Sequence, residues 1–290
     1  STRMNNKFLP GFTLPKALRV VSYHEEFSFN PFDCVINAVP TQYVRPSFDK
    51  IKKKMPEKLP LISLSKGLEM KTSKRVSQVL KELLPKNPVM VLSGPSHAEE
   101  VARKLPTVVT LAGLEEECSL ALFRNEMSNH YFRVYSNNDL IGAEIGGALK
   151  NVIGLAAGMV DGLGYGDNTK SALITRGLVE IIRFGISLGA EAETFYGLSG
   201  LGDLITTSIS GFGRNWWFGK EIGKGRKKEE ILSGTEKVVE GIYTVQAVKD
   251  EIYRSGIEMP ICEKIYEVIF EGLSPKEGLL SLMTRDYKEE

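Results

Sequence analysis

The chain has 290 residues, 42% of them apolar and 25% charged, which is room for two domains or one large one with a well-buried core and argues against a disordered polypeptide. Its 37 basic and 36 acidic residues leave a net charge of +1, which argues against nucleic acid as the main partner. The basic runs 50–54 and 224–228 read as solvated surface. No stretch approaches about 18 uninterrupted apolar residues, so no membrane span is expected, and no signal peptide is apparent at the start. Cys34, Cys118 and Cys262 are odd in number and widely spaced, as in a reduced cytoplasmic protein. With His24, His97 and His130 as the whole histidine complement, no metal site is expected.

Taken in chain order, residues 1–30 read as irregular, with Leu9-Pro10-Gly11 and Leu14-Pro15 as turn signals. The run 33–39 (DCVINAV), stopped by Pro40, predicts a buried strand. A helix is predicted over 44–54, with Pro46 in its first turn. A strand at 61–65 (LISLS) closes on Lys66-Gly67, and a basic helix follows over 71–84. Strands at 88–92 (PVMVL), 107–111 (TVVTL) and 132–135 (FRVY) flank a helix at 114–125. This alternation predicts a covered, mostly parallel sheet. Beyond Leu140 the apolar spacing turns helical, over 138–159, 169–188, 191–196, 215–223, 227–233, 245–255, 261–267 and 275–282. Gly189, Gly223 and Gly256 stand at expected helix ends. The domain boundary is placed near residue 136, giving an α/β domain at 1–135 and an all-helical one at 136–290.

The chemistry-bearing residues gather at loops and helix ends. Gly94-Pro95-Ser96-His97-Ala98-Glu99 ends a strand and opens a helix. Ser96 and Glu99 form a capping box there, or the first turn holds a ligand at the carboxyl edge of the sheet. Lys66 occupies the same topological place. Lys150 sits on a helix face lined by Ile145, Ala148 and Ile153, where a lysine either snorkels to water or needs a carboxylate partner. Asp203, in Gly200-Leu201-Gly202-Asp203, is the candidate partner, and an ammonium so held can donate to a developing oxyanion. Arg214-Asn215, behind the flexible lead 210–213, suits a phosphate or carboxylate. Trp216 and Trp217 read as packing or lid residues, and Glu240 as a turn residue or an acceptor for a ligand amide. The segment 161–168 (DGLGYGDN) lacks the spacing and final glutamate of a calcium loop and reads as an inter-helix loop capped by Asn168 or Thr169.

Five ordered motifs then carry a resemblance. Gly94-Pro-Ser-His-Ala-Glu-Glu, Gly147-Ala-Leu-Lys150-Asn151-Val, Asn168-Thr-Lys-Ser-Ala-Leu-Ile-Thr-Arg176-Gly, Gly200-Leu-Gly-Asp203-Leu and Gly213-Arg214-Asn215 follow one another. They resemble the NAD(P)-dependent sn-glycerol-3-phosphate dehydrogenases, the bacterial form more closely. The likeness runs from about Asn5 to Arg285. It implies a Rossmann-like domain followed by a helical one. The implied reaction interconverts sn-glycerol 3-phosphate and dihydroxyacetone phosphate for glycerophospholipid synthesis, with NAD or NADP as cofactor. By this resemblance Lys150 is the catalytic acid/base and Asp203 its electrostatic partner, with Asn151 and Thr207 orienting substrate. Lys66, Gly94 and Ser96 hold substrate beside the cofactor, and Arg214 and Asn215 clamp its phosphate. Lys66, Ala98, Arg214, Val238 and Glu240 match cofactor contacts. A small phosphate ester is the implied partner; a homodimer is a prior expectation, supported by the many apolar helices.

Two departures from the family pattern stand out: Gly213 replaces a frequent serine, and Trp217 a residue that is often basic. The family's first strand and glycine-rich turn have no counterpart before Asn6-Lys7-Phe8-Leu9-Pro10. By that comparison the Rossmann-like domain is expected to be truncated by roughly forty to fifty residues and to bind dinucleotide weakly or not at all. Two rivals follow: another two-domain hydroxyacid dehydrogenase, and an inactive truncated relative. Gly213-Arg214-Asn215 separates the first rival, because it suits a phosphate ester.

Overall fold

The computed structural model describes residues 3–21, 28–211 and 213–286. His24, Phe212 and residues 1–2 and 22–27 of the irregular start lie outside them. An antiparallel hairpin comes first, Met4–Asn5 (β1) against Leu9–Thr13 (β2), where the sequence predicts irregular chain. The turn signals Leu9, Pro10 and Gly11 lie inside β2, a two-stranded edge on which a proline without an N–H is tolerated.

Five strands then build one sheet: Val35–Asn37 (β3), Leu61–Ser63 (β4), Val89–Ser93 (β5), Thr107–Ala112 (β6) and Phe132–Asn137 (β7). They lie side by side in chain order, parallel except for β5 against β6. Both faces are covered, which is why β4 and β5 are buried at every residue rather than at alternate ones. Thr41–Ile51 (α1) and Val76–Leu83 (α2) pack Val44, Phe48, Val79 and Leu80 on Leu61 and Val89. Between β5 and β6 lies the short helix Ala98–Ala102 (α3). Leu120–Met127 (α4) covers the other face, where Leu120 meets Ile62, Met90, Leu111 and Val134.

Helix boundaries differ from the sequence expectation for local reasons. Helix α1 starts at Thr41 behind Pro40, so Pro46 falls in its interior rather than its first turn and removes one intrahelical bond. Helix α2 begins at Val76, five residues late, because Leu68 and Arg75 form an antiparallel bridge that takes 69–74 into a turn. Helix α4 waits for the Ser119 hydroxyl, which accepts the Leu122 N–H at 3.3 Å.

The rest of the described chain is helical: Leu140–Gly162 (α5), Asp167–Ser187 (α6), Asp203–Ile209 (α7), Arg214–Gly223 (α8), Lys228–Ser233 (α9), Glu240–Ser255 (α10), Pro260–Tyr266 (α11) and Pro275–Met283 (α12). Ala192–Tyr196 forms a 3-10 turn, and Leu198–Gly202 a π turn. Helix α5 is the axis of this domain. Asp139 caps it, its carboxylate accepting the Gly142 N–H at 2.7 Å. Its length and hydropathy would span a bilayer, but 89% of its most apolar window is buried in the protein, against α6, α7, α8 and α10. It is a core helix.

Glycines let α5 and α8 cross with their backbones in contact. A Cβ at Gly158 would overlap the Trp216 carbonyl, one at Gly219 the Leu155 carbonyl, and one at Gly223 would lie 2.5 Å from the Met159 carbonyl. Nearby, Glu180 of α6 is buried and accepts the Ile261 and Cys262 N–H groups at 2.7 and 3.1 Å, capping α11. Burial pushes its carboxyl up to about 7 against the pull of those N–H groups. The folded chain therefore holds this proton more tightly than the unfolded chain does. The group favours folding at low pH, and that contribution declines as pH rises towards 7. Gly219→Ala, which forces α8 off α5, is expected to cost about 1–3 kcal/mol. The check is a urea or thermal melt, and an unchanged midpoint would contradict the close crossing.

Candidate active site

The loops at the carboxyl ends of β3, β4 and β5 face the helical domain, and the polar residues predicted from sequence converge between them. At the centre is the Asp203 carboxylate, the first residue of α7. One oxygen pairs with Lys150 Nζ of α5, and the other accepts from Lys66 Nζ of the β4 loop at 2.8 Å. Lys66 also donates to the Gly94 carbonyl at 2.8 Å, which ties together the loops after β4 and β5. The two ammonium groups therefore come from different domains and share one carboxylate.

Local sequence explains why they meet. Lys150 stands one turn beyond Gly146 and one turn before Gly154 on the same face of α5. A Cβ at Gly146 would lie 2.6 Å from the Ser199 carbonyl, and one at Gly154 would lie 2.7 Å from Thr207 Cγ2. These two glycines admit the Leu198–Gly202 turn and α7, and so bring Asp203 onto the lysine. Gly94 has φ of 134°, a conformation open to glycine, and a side chain there would meet the backbone of Val109 at 3.1 Å.

Electrostatics follow from burial. Desolvation pushes the Lys150 ammonium down to about 8; Lys66 adds to the depression, and Asp203 opposes it. Burial alone would raise Asp203, but Lys150 and Lys66 together hold it below the usual carboxylate range.

A relay of amides joins this centre to α8 and α10. Asn151 Nδ2 donates to the Lys66 carbonyl at 2.9 Å, Asn215 Nδ2 donates to Asn151 Oδ1 at 2.8 Å, and the Gly241 N–H donates to Asn215 Oδ1 at 2.9 Å. Thr207 lies one turn beyond Asp203 on α7 and is buried. Arg214, the first residue of α8, is exposed, and its guanidinium has no hydrogen bond or ion pair among the described residues. Burial raises the nearby Glu240 carboxyl above its ordinary range, opposed by Thr41 and, least of all, by Arg214.

Some placements differ from expectation. Ser96 does not cap α3: its hydroxyl donates back to the Gly94 carbonyl at 3.0 Å. Ala98 opens α3 and is exposed, and Val238 is half-buried in the loop before α10. Helix α6 starts at Asp167, ahead of the caps expected at Asn168 or Thr169. Asp161, expected in the loop before it, lies in the last turn of α5, where it accepts from Lys170 at 2.8 Å and from Trp216 Nε1 at 2.6 Å.

The sequence reading does not contain the Lys66–Asp203 pair or the role of Thr41. The Thr41 N–H at the start of α1 donates to Glu240 Oε1 at 2.9 Å across the domain boundary. The other oxygen of Glu240, with Thr41 Oγ1 and Ser93 Oγ, is buried and has no partner among the described residues. A Cβ at Gly67 would lie 2.7 Å from Thr41 Oγ1 and 2.9 Å from Glu240 Oε2. Two unsatisfied oxygens thus converge on bare backbone, a cradle that suits the amide and hydroxyl groups of a nicotinamide dinucleotide.

Comparison with known proteins places this geometry. The model described as NAD-dependent glycerol-3-phosphate dehydrogenase N-terminus matches residues 1–119, and that of the corresponding C-terminus matches residues 139–279. The chain is 45% identical to a glycerol-3-phosphate dehydrogenase of the NAD(P)+ type from Geobacillus thermodenitrificans, covering 99% of this chain and 84% of the relative. It is 46% identical to that of Carboxydothermus hydrogenoformans, covering 99% and 86%. Among solved structures, glycerol-3-phosphate dehydrogenase from Coxiella burnetii matches with a TM-score of 0.92 at 33% identity, over 98% of this chain and 86% of that one. A D-mandelate dehydrogenase, at 10% identity and a TM-score of 0.55, shares the fold alone.

These matches correct the expectation of a truncated Rossmann-like domain that has lost its dinucleotide-binding segment. That expectation rested on the missing counterpart of the family's first strand and glycine-rich turn. The family's N-terminal domain is instead recognised from residue 1 to residue 119. This chain belongs to the NAD-dependent glycerol-3-phosphate dehydrogenase family.

Proposed function

We propose that this cleft interconverts sn-glycerol 3-phosphate and dihydroxyacetone phosphate, as an NAD(P)-dependent oxidoreductase serving glycerophospholipid synthesis. The observation that carries the reading is the Asp203 carboxylate shared by Lys150 and Lys66 from two domains. Two positive charges against one negative leave the pocket with a net positive charge where a carbonyl oxygen gains negative charge.

Lys150 is the acid/base. One of its three N–H bonds is committed to Asp203, which leaves two for other acceptors. In the reducing direction its ammonium gives a proton to the carbonyl oxygen. In the oxidising direction the neutral amine takes the proton of the alcohol. Asp203 keeps the ammonium form accessible in a buried site, and Lys66 adds a second positive group beside the oxygen. Gly94, Ser96, Asn151 and Thr207 shape the substrate wall.

Arg214, unpaired among the described residues at the start of α8, takes the phosphate with the free N–H groups of that first turn. Asn215 holds that turn through Asn151 and Gly241. Lys66, Ala98, Arg214, Val238 and Glu240 would hold the NAD or NADP, with Glu240 Oε2 accepting from its amide. The bound dinucleotide supplies or accepts the hydride.

A cytoplasmic homodimer belongs to the same proposal. It is supported by exposed apolar residues such as Leu280 and Met283 and by three unpaired thiols. Light scattering that gives a monomer at working concentration would end the dimer, and a secreted native protein would end the location.

Lys150→Ala is expected to lower turnover by about a hundredfold or more in both directions, as loss of a general acid should. In the wild type, reduction declines above about pH 8 and oxidation rises through the same range, since one needs the ammonium and the other the amine. Steady-state profiles check both; a Lys150→Ala enzyme with wild-type kcat would remove this residue from the chemistry. Arg214→Ala is expected to raise KM for dihydroxyacetone phosphate by at least tenfold, with little effect on unphosphorylated dihydroxyacetone. Equal losses on both would dismiss the phosphate clamp.

A further inference from the structure

Helix α5 carries a second buried charge besides Lys150. Glu144 is 6% exposed, and both its oxygens reach across the domain boundary. Oε1 accepts the Ser77 N–H at 2.8 Å, and Oε2 accepts the Ser77 hydroxyl and Arg75 Nη1, each at 2.5 Å. Arg75 also donates to Ser77 Oγ at 3.0 Å, so guanidinium, hydroxyl and carboxylate form a closed triangle. Helix α2, whose own N-cap residue contributes no standard side-chain cap, thus takes an acidic group at its first turn from the other domain.

A buried pair of this kind adds little net stability, because desolvation cancels most of the attraction, so its effect falls on arrangement. What it arranges is traceable. Arg75 is bridged through its backbone to Leu68, two residues from Lys66, and Leu68 is buried in the core of the helical domain. Asn151, on the same α5, holds the Lys66 carbonyl directly. The strap 66–75 is therefore fastened to α5 at both ends, by Asn151 at Lys66 and by Glu144 at Arg75.

We propose that Glu144, acting through Arg75 and Ser77, is a positioning residue that fastens this strap so that Lys66 stays on Asp203. The catalytic part of this inference rests on the function proposed above. The charged groups that face Lys150 are Asp203 of α7 and Lys66 of the strap. With the strap released, Lys150 loses its positive neighbour and its proton is held more tightly.

The test uses Glu144→Gln in the full chain, with Glu180→Gln as the control, an equally buried carboxylate whose partners lie within the helical domain. The first readout needs no catalysis: the rate at which acetic anhydride modifies Lys66, followed by peptide mass spectrometry. The second is the alkaline limb of the reduction profile together with kcat. Expected for Glu144→Gln are several-fold faster modification of Lys66, a limb displaced to higher pH, and kcat lowered on the order of tenfold or more through misplacement of the site. Glu180→Gln alters the melting temperature alone. Wild-type modification of Lys66 and an unmoved limb in Glu144→Gln would overturn the proposal. Should Glu144→Gln not fold, Arg75→Lys, which keeps the charge but loses the reach to Ser77, is read in the same two ways. A fully active Lys150→Ala enzyme would sink the proposed chemistry, and the Lys66 modification rate would still decide the strap.

Discussion

Asp203 has to be an anion although it is 1% exposed, and the structure around it is arranged to meet that demand. An unpaired carboxylate at such depth would take up a proton. Here one lysine from the helical domain and one from the sheet domain keep it ionised, and it in turn keeps Lys150 protonated into the neutral range. Neither lysine suffices alone: removing either one leaves one oxygen of this carboxylate without its ammonium partner. The centre is complete only when the two domains are docked.

Directional polar contacts orient the two domains, beside the apolar contact that Leu68 makes with the helical core. Glu144 reaches Ser77 and Arg75, Asn151 reaches Lys66, and Glu240 reaches Thr41, each from the helical domain onto a loop or helix start of the sheet domain. Such contacts have one good geometry, whereas apolar surfaces slide with little change in energy. The interface thus sets where Lys66 lies relative to Asp203, and the three apolar cores on either side supply the stability.

Much of this was legible in the sequence. The strands stood out as short β-branched runs bounded by proline and glycine, and α5 and α6 as long helical spacings. Lys150 stood out because an amine among Ile145, Ala148 and Ile153 is chemically misplaced. Asp203 could be matched to it because few carboxylates lie on glycine-rich turns. The starts of α1, α2 and α10 were not legible, since they are set by tertiary partners: the Leu68–Arg75 bridge, and Glu240, which opens α10 while bonding Thr41. The Lys66–Asp203 pair joins residues far apart in the chain with no shared periodicity, so nothing local announces it. Glu144 carried the same signal as Lys150, an ionised group on an apolar helix. The dinucleotide domain was expected to be truncated because its first strand and glycine-rich turn were not found, whereas the family's N-terminal domain is matched over residues 1–119.

The glycine crossing of α5 and α8 has a consequence for substrate choice. With peptide groups of the two helices in direct contact, no side chain at the seam is free to repack, and the pair behaves as one stiff piece. Lys150 stands on one member of that piece and Arg214 on the other, so the backbone span between the proposed proton donor and the proposed phosphate clamp is set like the jaws of a caliper. Under the roles proposed for these two residues, substrates would be sorted by the distance between their reacting oxygen and their anionic end. Discrimination by length is then a property of the scaffold, independent of any motion between the domains.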